Sequence, residues 1–209
     1  MAGTKVRPYH HGDLRAALVD AAIVLIAERG VHEFSLAEAS RRVGVTTAAP
    51  YRHFADREEL LAAVAVRGVQ AFTAMAEADA DSAGTPEQRL AAVASAYVRF
   101  AAEHRPLFDT LYSSGIDKSR HPELQRAWEP LDALLAQVRQ ICDGDAAVAG
   151  ALTAAAEATA HGHAMLLVDG EYGHGPDAIR AAADSAARAT LALIAGRASL
   201  RSSQSGGQP

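Results

Sequence analysis

Apolar residues recur at helical spacing along most of the chain, and no stretch stands out with the alternation of a β-strand. The first predicted helix places leucines, isoleucine and alanines on one face. Alanine is abundant, while aromatic and β-branched residues are sparse, which also favours helices. Pro130 should kink or restart the helix that contains it. The predicted helices cover residues 13–29, 36–43, 48–54, 57–80, 86–103, 105–112, 122–143, 145–168 and 176–196.

The most specific local pattern lies between the first two long helices. Ser35, followed three residues later by a glutamate, forms a capping box that opens a short helix. Gly44 is placed to end that helix in the left-handed conformation. If Thr47 is the N-cap of the next helix, Pro50 falls in its first turn, where its missing N–H needs no partner. Two short helices joined by a glycine turn can place side chains in a DNA groove.

This pattern resembles the N-terminal domain of the TetR/AcrR family of bacterial transcriptional repressors. Pro50 stands where the family usually has a leucine-like residue, so the start of the recognition helix is expected to differ slightly. The resemblance runs over residues 12–64 and is carried by Glu28-Arg29-Gly30, Ser35-Leu36, Gly44-Val45-Thr46, Tyr51-Arg52-His53-Phe54 and Arg57-Glu58-Glu59-Leu60-Leu61.

The predicted DNA-binding residues combine small residues, hydroxyls and basic groups, which suit base edges and phosphate oxygens. The family resemblance implies that Thr46, Thr47 and Ala48 face bases. It also implies that Ser35, Tyr51, His53 and Arg57 hold phosphates, while Arg52 can do either. The complete predicted set is Lys5, Arg7, Ser35, Arg42, Thr46, Thr47, Ala48, Tyr51, Arg52, His53 and Arg57.

The distribution of charge is compatible with a DNA-binding surface of limited extent. The net charge is -5, yet residues 1–60 carry 8 basic and 8 acidic side chains, and residues 61–209 carry the remaining 12 and 17. An acidic body repels DNA, so binding must be confined to one small, salt-sensitive surface.

The C-terminal part is predicted to hold a small-molecule cavity. Large aromatic and polar side chains are scattered among alanine-rich helices there, and they suit either a packed core or an apolar pocket with a few polar groups. The segment 104–112, with His161-Gly162, also resembles the C-terminal domain type named for a Trp-His-Gly motif, although the tryptophan is absent beside that pair. The predicted pocket residues are Phe100, His104, Phe108, Leu111, Tyr112, Trp128, His161 and Met165.

The same region offers little for a metal or an active site. Glu157 and His161 lie four residues apart on one helical face, but a zinc or iron site needs a third ligand such as His104. A histidine satisfied within the core is the favoured interpretation. No nucleophile elbow or dinucleotide loop accompanies the serines, histidines and glycines. We therefore expect no cofactor, no metal and no enzymatic activity.

The resemblance implies a homodimer formed by the two C-terminal helices, and one short recognition helix covers too little DNA to act alone. A two-fold axis would place two such helices about 34–36 Å apart, in successive major grooves. Cys142 is the only cysteine, which points to a reduced cytoplasmic setting, and no stretch approaches a membrane-spanning length.

The sequence therefore predicts an all-α, TetR-like regulator, a repressor that leaves double-stranded operator DNA when an unknown small-molecule effector binds. An effector-independent DNA-binding regulator and a helical protein-interaction module remain open. The predicted organisation is a flexible basic arm (1–11), a helix-turn-helix domain (12–60), a ligand-binding and dimerisation domain (61–198) and a disordered tail (199–209).

Overall fold

The computed structural model describes residues 14–200, and every regular element in that range is helical. The all-α prediction is confirmed, and most helices begin and end within one or two residues of the predicted positions. The predicted arm with Lys5 and Arg7 lies outside the described residues. The helices are α1 (Leu14–Arg29), α2 (Leu36–Val43), α3 (Arg57–Asp81), α4 (Pro86–Glu103), α5 (Arg105–Ser113), α6 (Pro122–Leu135), α7 (Val138–Ile141), α8 (Ala146–Val168) and α9 (Pro176–Ala195), with 3₁₀ turns at Pro50–Arg52, Lys118–Arg120 and Arg197–Leu200.

The N-terminal helices pack around the apolar face of α1. Leu18, Leu25 and Ile26 are buried there, and they share a core with Phe34 and Phe54 from the connections that follow. Burying both phenylalanines fixes the chain on either side of α2. These short elements are therefore stabilised by the burial of large apolar side chains, since each has too few helical hydrogen bonds to be stable alone.

Helix α3 connects the N-terminal region to the rest of the molecule. Asp56 caps it by accepting a hydrogen bond from the Glu59 backbone N–H at 2.9 Å. Its 25 residues span about 38 Å. The predicted domain boundary at 60/61 falls in its first turns, and the apolar core continues across that point.

Contrary to the sequence-based expectation, α3 is long and apolar enough to cross a membrane by length and composition. Its most apolar stretch is, however, 61% buried inside the protein. That burial is typical of a core helix, so the composition of α3 reflects contacts with its neighbours.

Helix α4 lies at the centre of the C-terminal region and packs against α3, α8 and α9. Thr85 and Gln88 form the predicted capping box at its start, and Asp145 caps α8. Buried alanines on α4, α8 and α9 bring these helices close together. The larger aromatic side chains are consequently concentrated where α3, α4, α5 and α6 meet.

Of the two effects predicted for Pro130, a kink or a restart of its helix, the restart does not occur. Helix α6 continues through Pro130 to Leu135, and the chain turns at Ala136 and Gln137 before α7. Pro130 is exposed, so water can satisfy the carbonyl that loses its intrahelical partner. The helix ends instead where the Gln137 N–H bonds to the Leu134 carbonyl at 3.3 Å, which tightens the last turn.

Candidate nucleic-acid interface and ligand cavity

Helix α2 has the start and the end that its sequence predicts. The Ser35 hydroxyl accepts a hydrogen bond from the Glu38 N–H at 3.3 Å, and the Glu38 carboxylate accepts one from the Ser35 N–H at 3.0 Å. The hydrogen bond from Ser35, together with the Arg29 guanidinium, holds the pKa of Glu38 below its ordinary value. Gly44 ends α2 at φ 80, in the left-handed region. Ser35 is thus a helix cap whose hydroxyl is already engaged.

The recognition segment is defined as residues 46–53, and the helix within it is shorter than predicted. The expected helix from Ala48 to Phe54 is reduced to the 3₁₀ turn Pro50–Arg52, and Ala49, not Thr47, is its N-cap. A separate turn precedes it, closed by the Ala49 N–H on the Thr46 carbonyl at 3.1 Å. Pro50 has no N–H with which to join the two turns into one helix.

The recognition segment is held by buried residues at its C-terminal end, and most of its side chains are exposed to solvent. Pro50 and Phe54 are buried, and the Arg15 guanidinium lies 5.2 Å from the centroid of the Phe54 ring. The side chains between these anchors point to solvent, and Tyr51 is 61% exposed. The exposed members are Thr46, Thr47, Ala48, Tyr51, Arg52 and His53.

Two arginines predicted to contact DNA are hydrogen-bonded to other residues of the protein. Arg57 donates from Nε to the Phe34 carbonyl at 3.0 Å, and its Nη2 contacts the Val31 carbonyl. Arg42 pairs with both oxygens of Glu28, at 2.9 and 2.6 Å, and this pairing lowers the pKa of Glu28. Arg57 thus joins α3 to the connection between α1 and α2, and Arg42 joins α2 to α1 at the surface.

Arg41 is an exposed basic residue outside the predicted DNA-binding set. Its side chain is 69% exposed on the last turn of α2, and its nearest described carboxylate is that of Glu38 at 4.0 Å. Both Arg41 and Arg42 are basic residues near the end of α2, so the sequence did not say which of them would be paired. The partner of Arg42 comes from α1, and only the packing of α1 on α2 reveals it.

A cavity of about 270 Å³ lies between α3, α4, α6 and α8. Of the eight predicted pocket residues, only Tyr112 and Trp128 line it. Five more aromatic or charged side chains also line it: Phe72, Tyr97, Lys118, Asp132 and Glu157. Its full lining is Phe72, Leu90, Val93, Ala94, Tyr97, Tyr112, Lys118, Trp128, Leu131, Asp132, Leu135, Thr153, Ala156, Glu157 and Ala160.

The other predicted pocket residues do not reach the cavity. Phe100, Phe108 and Leu111 are buried in the core behind it. His104 ends α4, with its ring against that of Phe100. Met165 is 36% exposed, because it lies five positions after Ala160 and so about 140° around α8 from the cavity wall.

His161 supports the cavity wall from outside. Its Nδ1 lies 2.8 Å from the Tyr97 hydroxyl, and its ring stacks on Phe108. Burial raises the pKa of Tyr97 and of Tyr112, so both phenols keep their protons. Within residues 14–200 no group of three metal-ligating side chains comes together, so Glu157, His161 and His104 do not form a site there. His161 is hydrogen-bonded within the core.

Two family models match the chain. One, described as "Bacterial regulatory proteins, tetR family", matches residues 18–64, and a second, described as "Tetracyclin repressor-like, C-terminal domain", matches residues 90–190. The chain is also 30% identical over 166 residues to the HTH-type transcriptional regulator BetI of Rhizobium meliloti, covering 76% of this chain and 75% of that protein. The chain belongs to the TetR family. It is a TetR-family transcriptional regulator, as the sequence predicted.

Solved structures of similar fold agree with this assignment. A protein of unknown function from Rhodococcus sp. RHA1 is 34% identical with a TM-score of 0.68, covering 88% of this chain and 98% of that one. FadR from Bacillus subtilis, solved in complex with stearoyl-CoA, is 19% identical with a TM-score of 0.64, covering 86% and 96%. The first TetR-family match contains the recognition segment, and the second contains most of the cavity lining. The narrower Trp-His-Gly subclass stays a prediction.

Proposed function

We propose that this TetR-family regulator is a cytoplasmic, non-catalytic repressor that binds operator DNA as a homodimer and leaves it when a small molecule enters the C-terminal cavity. The observation that carries this proposal is the exposure of six side chains of the recognition segment, whose C-terminal half is held by the buried residues Pro50 and Phe54. A rigid backbone with outward hydroxyl, phenol, guanidinium and imidazole groups suits the contacts that a major groove and its phosphates offer.

The DNA surface that we propose combines small residues that can approach bases with larger ones that reach phosphates. Thr46, Thr47 and Ala48 form the projecting corner, and Tyr51, Arg52 and His53 flank it. We also propose Arg41 as a phosphate contact, because its side chain is 69% exposed on the last turn of α2, shortly before the recognition segment in the chain. We assign Ser35, Arg42 and Arg57 to positioning, since each of them already holds the fold.

Two features of α8 and α9, exposed apolar side chains and exposed glycines, support a dimer through the last two helices. Met165 and Leu166 are 36% and 45% exposed on its outer face, and Leu191 of α9 is 41% exposed. Gly150 and Gly162 are both exposed on α8, and a Cβ at either position would meet nothing within 4 Å. Glycine in a helix costs about 1 kcal/mol relative to alanine, and nothing inside one subunit requires it here. A closely approaching helix of a second copy would.

A short stretch joins the cavity to the DNA-binding region, and we propose it as the route of release. The coupling segment, residues 118–123, begins with Lys118 in the cavity wall. Three of its other residues contact α1 or the start of α3. His121 Nε2 and Arg120 Nη1 lie 3.3 and 3.7 Å from the Glu58 carboxylate at the start of α3, and Glu123 pairs with Arg15 of α1 at 3.1 Å.

The coupling segment also has room to move. A second cavity, of about 420 Å³, lies beside these contacts, between the segment and parts of α1 and α3. A ligand that displaces the segment would change how α3 and α1 are held, and thereby the separation of two recognition segments in a dimer. A coupling free energy of about 1–3 kcal/mol gives roughly a 5–150-fold loss of DNA affinity. The open cavity favours this mechanism over an effector-independent regulator, for which a filled interior would be expected.

Footprinting the purified protein on the DNA that flanks its own coding region tests this function. We expect protection of a two-fold symmetric site, and loss of the gel shift in Tyr51→Ala and Arg52→Ala. Arg139→Ala is the matched control, because Arg139 is exposed on α7, far from the recognition segment in sequence. Unchanged operator affinity in both Tyr51→Ala and Arg52→Ala would contradict the assigned surface, and a salt-independent protein partner would favour the interaction-module alternative.

A further inference from the structure

A cation already lies against the aromatic part of the cavity. The ammonium group of Lys118 is 5.7 Å from the centroid of the Tyr112 ring and 5.4 Å from that of Trp128. Both distances are within the range in which an aromatic face attracts a cation. Lys118 forms no ion pair with a carboxylate of residues 14–200. The two rings are therefore the principal partners of this ammonium group.

The remaining charges of the cavity are negative. Glu157 and Asp132 both line it, and neither pairs with a basic side chain of residues 14–200. With Lys118 in place the lining carries one excess negative charge, and without it two. A cleft lined by one sign of charge concentrates ions of the opposite sign and repels those of its own.

Lys118 is also placed so that it can leave. It is exposed and lies on the short 3₁₀ turn that starts the coupling segment, not on a long helix. Tyr112 and Trp128, by contrast, lie on α5 and α6 and are partly buried. The rings thus form a fixed surface, while the cation on it comes from a solvent-facing connection.

We infer that the cavity binds a small organic cation, such as a quaternary ammonium compound. The ligand takes the place of the Lys118 ammonium on Tyr112 and Trp128, with Glu157 and Asp132 as counter-charges. This inference rests on the proposed effector site. It adds that Lys118 is a built-in competitor, whose displacement by the ligand moves the coupling segment.

Trp128 is the only tryptophan of the chain, so its fluorescence reports on the cavity directly. The probes are phenyltrimethylammonium, its uncharged carbon isostere tert-butylbenzene, and benzenesulfonate as an anion of similar size. We expect only the ammonium compound to change the Trp128 emission saturably, and calorimetry to give the same dissociation constant. The full-length protein is used throughout.

Two substitutions give effects of opposite sign. Lys118→Gln removes the competitor and should tighten phenyltrimethylammonium binding about 3–30-fold. Glu157→Gln removes a partly solvated counter-charge and should weaken it about two- to fivefold. Arg139→Gln and Glu129→Gln are the matched controls, since both residues are exposed and outside the cavity lining. Circular dichroism establishes that each variant is folded.

The inference is overturned if tert-butylbenzene binds as tightly as the cation, or if benzenesulfonate binds and Lys118→Gln abolishes that binding. It is also overturned if none of the three probes binds in the millimolar range. Operator binding by the unliganded protein is measured in parallel by fluorescence anisotropy. If the protein binds operator DNA but does not bind phenyltrimethylammonium, only the inference about the organic cation is rejected. If DNA binding is absent, the proposed function falls.

Discussion

The Arg57 guanidinium lies over the ring of Phe34, 4.7 Å from its centroid, and donates a hydrogen bond from Nε to the carbonyl oxygen of the same residue at 3.0 Å. A further contact with the Val31 carbonyl ties the connection between α1 and α2 to the first turn of α3. Arg57 therefore has a structural role in this molecule, and the phosphate contact that the family resemblance implied for it stays a prediction.

Arg57→Ala should therefore destabilise the protein. Loss of the guanidinium leaves two partly buried carbonyl oxygens without their donor, which costs about 1–3 kcal/mol. Chemical denaturation of Arg57→Ala and Arg52→Ala compares the two arginines directly. Arg52 is exposed and should leave the free energy of unfolding unchanged. Equal stability of both variants would contradict the structural role of Arg57.

The sequence predicted the helices well because their signals are local. The Ser35 capping box, Gly44 and the caps Asp56, Thr85 and Asp145 each act within a few residues of the chain, so their spacing alone locates a helix end. The recognition segment was less predictable. The capping residues predicted one helix with Pro50 in its first turn. They could not show that Pro50 would instead divide the segment into a turn at residues 46–49 and a 3₁₀ turn at Pro50–Arg52.

The cavity was predicted poorly because its lining depends on packing between helices distant in sequence. Tyr97 and Phe72 were not chosen, since nothing local distinguishes a ring that faces a cavity from one that fills a core. Met165 was chosen on type alone and lies on the outer face of α8. Lys118 could not be identified at all, because its partners Tyr112 and Trp128 come from two different helices.

Arg41→Ala and Arg52→Ala should both weaken operator binding and reduce its dependence on salt. Each arginine that neutralises one phosphate contributes about one unit to the slope of log K against log salt concentration. Anisotropy titrations at several salt concentrations measure that slope. Arg42→Ala provides the contrast, since its guanidinium is held by Glu28 and should leave the slope unchanged. A slope change in Arg42→Ala alone would reverse the assignment.

Gly162→Arg should convert the proposed dimer into monomers, because a long charged side chain would occupy the space that a partner helix needs. Sedimentation equilibrium compares its mass with that of Ala133→Arg, a matched change at an exposed position of α6. Gly162→Ala adds a finer test. On a solvent-facing helix it should stabilise the protein by about 1 kcal/mol, whereas at a close interface it should weaken association. Dimers of unchanged stability in Gly162→Arg would place the interface elsewhere.

The buried phenols should make the protein sensitive to alkali. Burial raises the pKa of Tyr97 and Tyr112 above the ordinary value of 10.0, so the unfolded chain releases these protons before the folded one. Their contribution to stability is thus fully present below about pH 10 and is lost as the pH rises further, at about 1.4 kcal/mol per pH unit for each tyrosine. Tyr97→Phe should flatten that fall in denaturation measured across the alkaline range. An unaltered slope would show that Tyr97 ionises as readily in the folded protein.

Glu58→Gln should uncouple the cavity from the DNA-binding region. The substitution keeps the shape of the side chain but removes the charge that faces Arg120 and His121, so movement of the coupling segment would no longer act on the start of α3. Trp128 fluorescence should show unchanged binding of phenyltrimethylammonium, or of whichever probe binds. The ligand-induced loss of operator affinity should shrink towards onefold. Glu77→Gln, at an exposed position later in α3, is the control and should respond like the unaltered protein. Full release from DNA in Glu58→Gln would mean that the signal leaves the cavity by another path, such as α4.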